Sequence, residues 1–298
     1  MRWLNRDGFA WLPADSRGAP EWPALPGYRS AGGDSAGPPR VVTIGDGVLH
    51  GRRLVLDPDG GADDPTTMGP SGTRAALYNL DVARALAAML TAAGAEVTLA
   101  RSTDSPVSDV ERVRVSEAFG AERYLRIGHR AEAPRIGYYF ASPTGRRWAQ
   151  RTRETLAALG VADPSLGEDA QYPMQQTSCA ALYVAAGRVD RAEDEARMLA
   201  PGALRAEAYA LYLSLAREFA PERSWPLDSL EVHDASGRPV AGALVTLGDA
   251  LVLESDASGR VRFARTEAGP LPARVGAEEP QTILLDSMRG AILTGPGR

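Results

Sequence analysis

From Arg52 onward the chain alternates short apolar runs with longer stretches whose apolar positions recur every three or four residues. Residues 54–58 predict a strand ending in a polar turn, followed by a long loop over 59–73. A helix is predicted from about Asn79, because Leu80, Ala83, Leu86, Ala87 and Leu90 fall on one helical face, and Gly94 stops it. Residues 96–100 read as a second strand. Ser108 and Glu111 stand at capping-box spacing, where their side chains satisfy two N–H groups left without partners at a helix start, and that helix ends at Gly120. Further strands are expected at 124–129, 136–141 and 181–185, with a helix at 146–159 stopped by Gly160. Two helical stretches, 191–199 and 203–219, flank Pro201. Strands alternating with helices imply crossover connections. The predicted class is therefore α/β, with a mixed, largely parallel sheet covered by helices on both faces.

The flanks follow other patterns. Residues 1–45 are rich in Gly, Pro, Ser and Trp without sustained period, and are expected to form an irregular arm anchored through Trp3, Trp11 and Trp22. After a linker at 221–226 the period changes to two. Strands are drawn at 240–247, 250–255, 261–265 and 282–287, which predicts a small all-β sandwich over 227–298. Asp-Ala-Ser-Gly-Arg occurs at 234–238 and again at 256–260, each time between strand-like runs. It reads as a turn whose glycine takes positive φ, with no chemistry of its own. Three regions result: the arm (1–45), the α/β domain (46–220) and the sandwich (227–298).

Composition narrows the function. The 298 residues are 44% hydrophobic, enough for a sizeable core. A net charge of -5 with no basic stripe argues against nucleic acid as a partner. No apolar run approaches the ~20 residues of a membrane span. The opening residues contain no signal-peptide apolar stretch, which leaves open whether the chain is part of something larger. Cys179 is the single cysteine, so neither an intramolecular disulfide nor a cysteine zinc cluster is expected, and it reads as a small buried hydrophobe. The three histidines are His50, His129 and His233. His50 precedes the first strand and is expected at the opposite end of the sheet, and His233 belongs to the sandwich.

Ligands of an open α/β sheet gather at the carboxyl ends of its strands. Three such ends stand out here, at 57–64, 128–131 and 184–187. Their text is Asp57-Pro58-Asp59-Gly60-Gly61, then Asp64-Pro65, then Gly72-Thr73-Arg74-Ala75 leading to Asn79-Leu80. Arg101, Asp104, Val107-Ser108 and Glu111-Arg112-Val113 follow, then Ile127-Gly128-His129-Arg130-Ala131, Leu182-Tyr183-Val184-Ala185-Ala186-Gly187 and Asp194-Glu195-Ala196. In order and spacing this series resembles the zinc-dependent N-acetylmuramoyl-L-alanine amidases of bacterial cell-wall turnover. The 227–298 region, through its Asp-x-x-Gly turns and Pro239-Val240-Ala241-Gly242-Ala243, looks like carboxypeptidase-regulatory or transthyretin-like modules.

The resemblance implies a zinc site held by two histidines and a glutamate, with a second glutamate as general base. Carried over residue by residue, the ligand positions fall on Asp59, Ala75 and His129, and the base position on Ala185. Alanine can neither hold a metal nor accept a proton. A catalytic zinc takes about three protein ligands and an open position for water, and loss of a general base removes roughly 10²–10⁴-fold in rate. Asp57, Asp63, Asp64, Arg74 and Arg130 are the further binding residues expected at this end. Three readings follow. The first is a pseudoenzyme without cofactor that binds a peptidoglycan fragment or a protein partner. The second is an active amidase-type hydrolase with a zinc site rewired around Asp59 and His129. The third is a structural unit of a larger envelope protein. The family implies a periplasmic or extracellular location.

Overall fold

The computed structural model describes residues 47–62, 67–248, 251–264 and 273–276, together with the backbone of strand residues 3–4, 10–11, 270–272, 281–284 and 291–294. It divides into two compact units, 1–36 and 37–298. In the first, β1 (Trp3–Leu4) pairs antiparallel with β2 (Ala10–Trp11), Trp3 opposite Trp11.

In the second unit the predicted alternation becomes β3 (Arg53–Pro58), α1 (Ala75–Ala92), β4 (Glu96–Leu99), α2 (Asp109–Phe119), β5 (Arg123–Arg130), β6 (Arg135–Tyr138), α3 (Pro143–Ala158), β7 (Ser165–Glu168), α4 (Tyr172–Gln176), β8 (Ala180–Arg188), α5 (Ala192–Met198) and α6 (Ala203–Phe219). The six strands lie in the order β4-β3-β5-β8-β6-β7. The first four are parallel, and β6 and β7 run against them. This is the mixed, largely parallel sheet the pattern predicts. Ser108 accepts the N–H of Glu111 at 3.2 Å, and Gly120 closes α2 at φ 66°. The first helix begins at Ala75, a turn earlier than expected, because Ala75, Ala76 and Tyr78 are themselves buried. The strand expected at 136–141 ends at Tyr138. Strand β7 and helix α4 have no counterpart in the sequence reading.

Alternation along the strands separates two faces. Leu54, Leu56, Leu125, Ile127, Leu182 and Val184 pack toward α1, α3 and α6 in the main apolar cluster. Val55, Tyr124, Tyr183 and Ala185 form a smaller cluster with Met174 of α4 on the other face, where α2 also lies. His50 packs against Gly94 at the amino end of β3, away from the strand ends that carry the site. No described helix is long and apolar enough to cross a membrane.

The C-terminal residues form β9 (Leu227–His233), β10 (Leu244–Leu247), β11 (Leu251–Glu254), β12 (Arg260–Ala264), β13 (Pro270–Val275), β14 (Gln281–Leu284) and β15 (Ala291–Thr294). They make two small sheets, β11-β10-β13-β14 and β12-β9-β15. The first is antiparallel throughout, whereas β15 joins β9 in parallel. Both repeats are turns, as expected. Asp234 accepts the N–H groups of Ser236 and Arg238, Asp256 those of Ser258 and Arg260, and Gly237 and Gly259 lie at φ 81° and 75°. Leu230, Val232, Val261 and Phe263 join the same apolar cluster as Leu211 and Leu215 of α6, so the α/β domain and these sheets share one core.

Candidate functional site

The loop after β3 is fixed by buried charge. Asp57 is fully buried on the α2 face of the sheet. It forms an ion pair with Arg112 of α2, accepts the hydroxyl of Tyr124 at 2.5 Å and lies 3.6 Å from the Arg126 guanidinium. Arg112 also donates to the carbonyls of Val107, Pro58 and Gly60. Arg101, 1% exposed, donates to the carbonyls of Pro58, Asp59, Ala76 and Thr103. Two guanidiniums thus hold the backbone of a loop that regular structure leaves unpaired.

Asp59 faces the same side as Asp57. Its carboxylate receives Arg126 at 2.7 Å and Arg130 at 2.6 Å. Burial raises the carboxyl's pKa, but the charges of Arg126 and Arg130 override it and hold the group at about 2. Arg130 in turn lies over the Tyr183 ring, 5.2 Å from its centroid. Arg74 binds Asp104 through both guanidinium nitrogens, at 2.6 and 3.2 Å, and reaches the Gly61 carbonyl. Glu195 of α5 accepts from Ser71 N–H, Ser71 hydroxyl and Thr73 N–H at 2.8, 2.6 and 3.1 Å. The hydrogen bonds from Ser71 and Thr73 keep its carboxyl near about 2. A Cβ on Gly69 would overlap that carboxylate, which is why glycine stands there.

His129 projects to the opposite side, among α1 and α6. It is 2% exposed; Nδ1 lies 2.8 Å from Asn79 Oδ1 and Nε2 lies 3.3 Å from Glu207 Oε2. The Asn79 amide nitrogen donates to the Asp59 carbonyl, so its oxygen faces the ring. Tyr78 meets the ring edge-on at 4.8 Å between centroids. Burial, then the charges of Glu207 and Asp81, push its hydroxyl pKa well up.

The expected site residues therefore separate into two groups. Asp57, Asp59 and Arg130 meet on the α2 face, Arg74 braces the loop at its far end, and His129 stands apart with Asn79 and Glu207. Asp63 and Asp64 lie outside the described residues. Ala75 is buried against the main core and Ala185 within the smaller cluster beside Tyr183. The structure does not bring the Asp59 carboxylate to the His129 ring, because strand alternation and two guanidiniums turn it the other way. Among the described residues no group of three or more His, Cys, Asp and Glu side chains is placed to hold a metal ion. Asp59, Ala75 and His129 as placed here do not fit a zinc ion. Burial pushes the Cys179 thiol to about 11, so it carries little thiolate at neutral pH.

Arg126 and Glu207 belong to the site but stand outside the motif series. Both carried a signal: Arg126 is a charge inside a strand buried on both sides, and Glu207 interrupts the apolar stripe of Ala203, Ala210 and Leu211.

Residues 54–217 match the family model described as N-acetylmuramoyl-L-alanine amidase. Solved structures agree on the fold. The catalytic domain of CwlV, an N-acetylmuramoyl-L-alanine amidase from Bacillus (Paenibacillus) polymyxa var. colistinus, is 20% identical with a TM-score of 0.52, over 57% of this chain and 98% of that one. The N-acetylmuramyl-L-alanine amidase Ami1 from Mycobacterium smegmatis is 17% identical with a TM-score of 0.53, over 58% and 99%. No match was found among curated proteins.

Proposed function

Because the chain belongs to the N-acetylmuramoyl-L-alanine amidase family, we propose that it acts in peptidoglycan metabolism by binding a peptidoglycan fragment, or an envelope protein, without hydrolysing it. One observation carries this reading: the side chains at the family's ligand and base positions are spent elsewhere or are apolar. Asp59 is neutralised by Arg126 and Arg130, and Ala75 and Ala185 are buried in apolar packing. A carboxylate already bound by two guanidiniums is a poor partner for a cation, since both ion pairs must break first. The scaffold around the strand ends is meanwhile intact, with Asp57, Arg74, Arg101, Arg112 and Glu195 each holding the loop.

The test combines metal content with activity on muropeptides. The purified chain is expected to carry substoichiometric zinc, to retain a muropeptide in equilibrium binding, and to release no stem peptide. Stoichiometric zinc together with stem-peptide release that His129→Ala abolishes would overturn the reading and establish a rewired hydrolase.

A further inference from the structure

A cleft of about 590 Å³ opens between the start of α6, the end of α3 and the turn joining β11 to β12. Its size falls in the range of small-ligand sites, roughly 300–1,000 Å³. His129, Tyr78, Gly187 and Glu207 line its inner end, and Ala186, Met198 and Ala206 supply apolar wall. Glu207 is 3% exposed. Its Oε2 faces His129 Nε2, while its Oε1 has no hydrogen-bond partner among the described residues. A carboxylate is acceptor-only, and a buried oxygen left without a donor is costly. Beyond the Glu207–His129 pair, charges around the cleft are also paired: Arg188 and Arg197 with Asp194, Asp163 with Arg153, Glu254 with Arg205, Arg260 with Glu231, Arg262 with Asp256. Glu207 Oε1 is thus a carboxylate oxygen at the buried end of the cleft with no donor among the described residues, approached along apolar wall.

We propose that this cleft binds an alkylammonium, an aliphatic chain ending in a primary amine, as on a lysine side chain within a peptide. The ammonium donates to Glu207, and the methylenes lie along Ala186, Met198 and Ala206. An ammonium is compact and carries three donors, which suits a single buried oxygen at the end of an apolar passage. The C-terminal sheets complete the site, because the β11–β12 turn forms one wall. The assignment stands on the cleft alone and does not depend on peptidoglycan being the physiological ligand.

The test titrates the full chain by calorimetry with Nα-acetyl-lysine amide, with cadaverine, and with the uncharged analogue acetylated at Nε. At least one of the two amines is expected to bind, and the Nε-acetylated analogue to bind roughly tenfold or more weakly than its amine. Binding of the lysine amide alone indicates a peptide source, and binding of cadaverine alone a free diamine. Glu207→Gln is expected to reduce amine binding by a similar factor. The comparison of charged with acetylated ligand uses the unaltered chain and remains decisive if that variant misfolds. Failure of both amines to bind, or equal binding of the acetylated analogue, overturns the proposal.

Discussion

The phenolic oxygen of Tyr209, on α6, accepts the backbone N–H of Ala264, on β12, at 2.7 Å. Both residues are buried, and burial is the cause that pushes the Tyr209 hydroxyl pKa up. The bond ties the α/β domain to the C-terminal sheets inside their common core. Tyr209→Phe keeps the ring and removes the acceptor, leaving a buried N–H without a partner. A loss of about 1–3 kcal/mol is expected in denaturant unfolding. The shared core also predicts a single transition for residues 37–298, which two-probe unfolding would check. Two separate transitions in the unaltered protein would contradict it.

Arg112 and Asp57 are expected to contribute the largest single-residue effect on stability. Arg112→Met removes the closer of two guanidiniums from a fully buried carboxylate, leaving Arg126 at 3.6 Å, and frees the carbonyls of Val107, Pro58 and Gly60. Breaking such a pair costs roughly 3–5 kcal/mol. Chemical denaturation measures this. Arg114→Met, on the same helix but with an exposed side chain, is the control and should change stability by about 0.5 kcal/mol or less.

Acid should weaken the fold through Asp59. Its carboxyl sits at about 2 in the folded chain against an ordinary 3.8. A lowered folded value means that the stabilisation is fully present above pH 3.8 and disappears as pH falls through about 2. At ~1.4 kcal/mol per unit this amounts to about 2 kcal/mol. Glu195 titrates in the same window, so the informative quantity is the difference between the unaltered protein and Asp59→Asn. The two should differ by about 2 kcal/mol at neutral pH and converge near pH 2. Parallel curves across that range would assign the acid sensitivity to other groups.

How far the sequence announced this arrangement depended on the kind of signal. Periodicity located the strands and helices that bury a face, such as β3, α1 and β8. It passed over β7, whose Ser165–Glu168 is a short edge strand with no apolar repeat, and α4, which is only five residues long. The motif series placed Asp57, Arg74 and His129 near the strand ends. It could not reveal which face each side chain takes, because that follows from register and from the bulge where β5 and β8 shift between Gly128 and His129. Partners distant in sequence were equally hidden: Asp59 meets Arg130 across 71 positions, and Ser71 meets Glu195 across 124. The neutralisation of Asp59 and the pairing of His129 with Glu207 are products of packing.

Gly128 is the point where that packing has least room. A Cβ built there would lie 2.5 Å from the Tyr183 hydroxyl and 2.7 Å from a ring carbon. Tyr183 is 1% exposed and packed with Val55, Tyr124 and Ala185, so its rigid ring has nowhere to swing. Gly128→Ala is therefore expected to cost about 1–3 kcal/mol, the usual penalty for forcing extra volume into a filled interior. It should also displace Tyr183 from beneath Arg130, and with it the clasp on Asp59. The double variant Gly128→Ala/Tyr183→Leu removes the clashing ring and should lose less than the two single changes added together. Thermal unfolding of the four proteins measures the coupling. Strict additivity would mean that the Tyr183 ring is not what excludes a side chain at position 128.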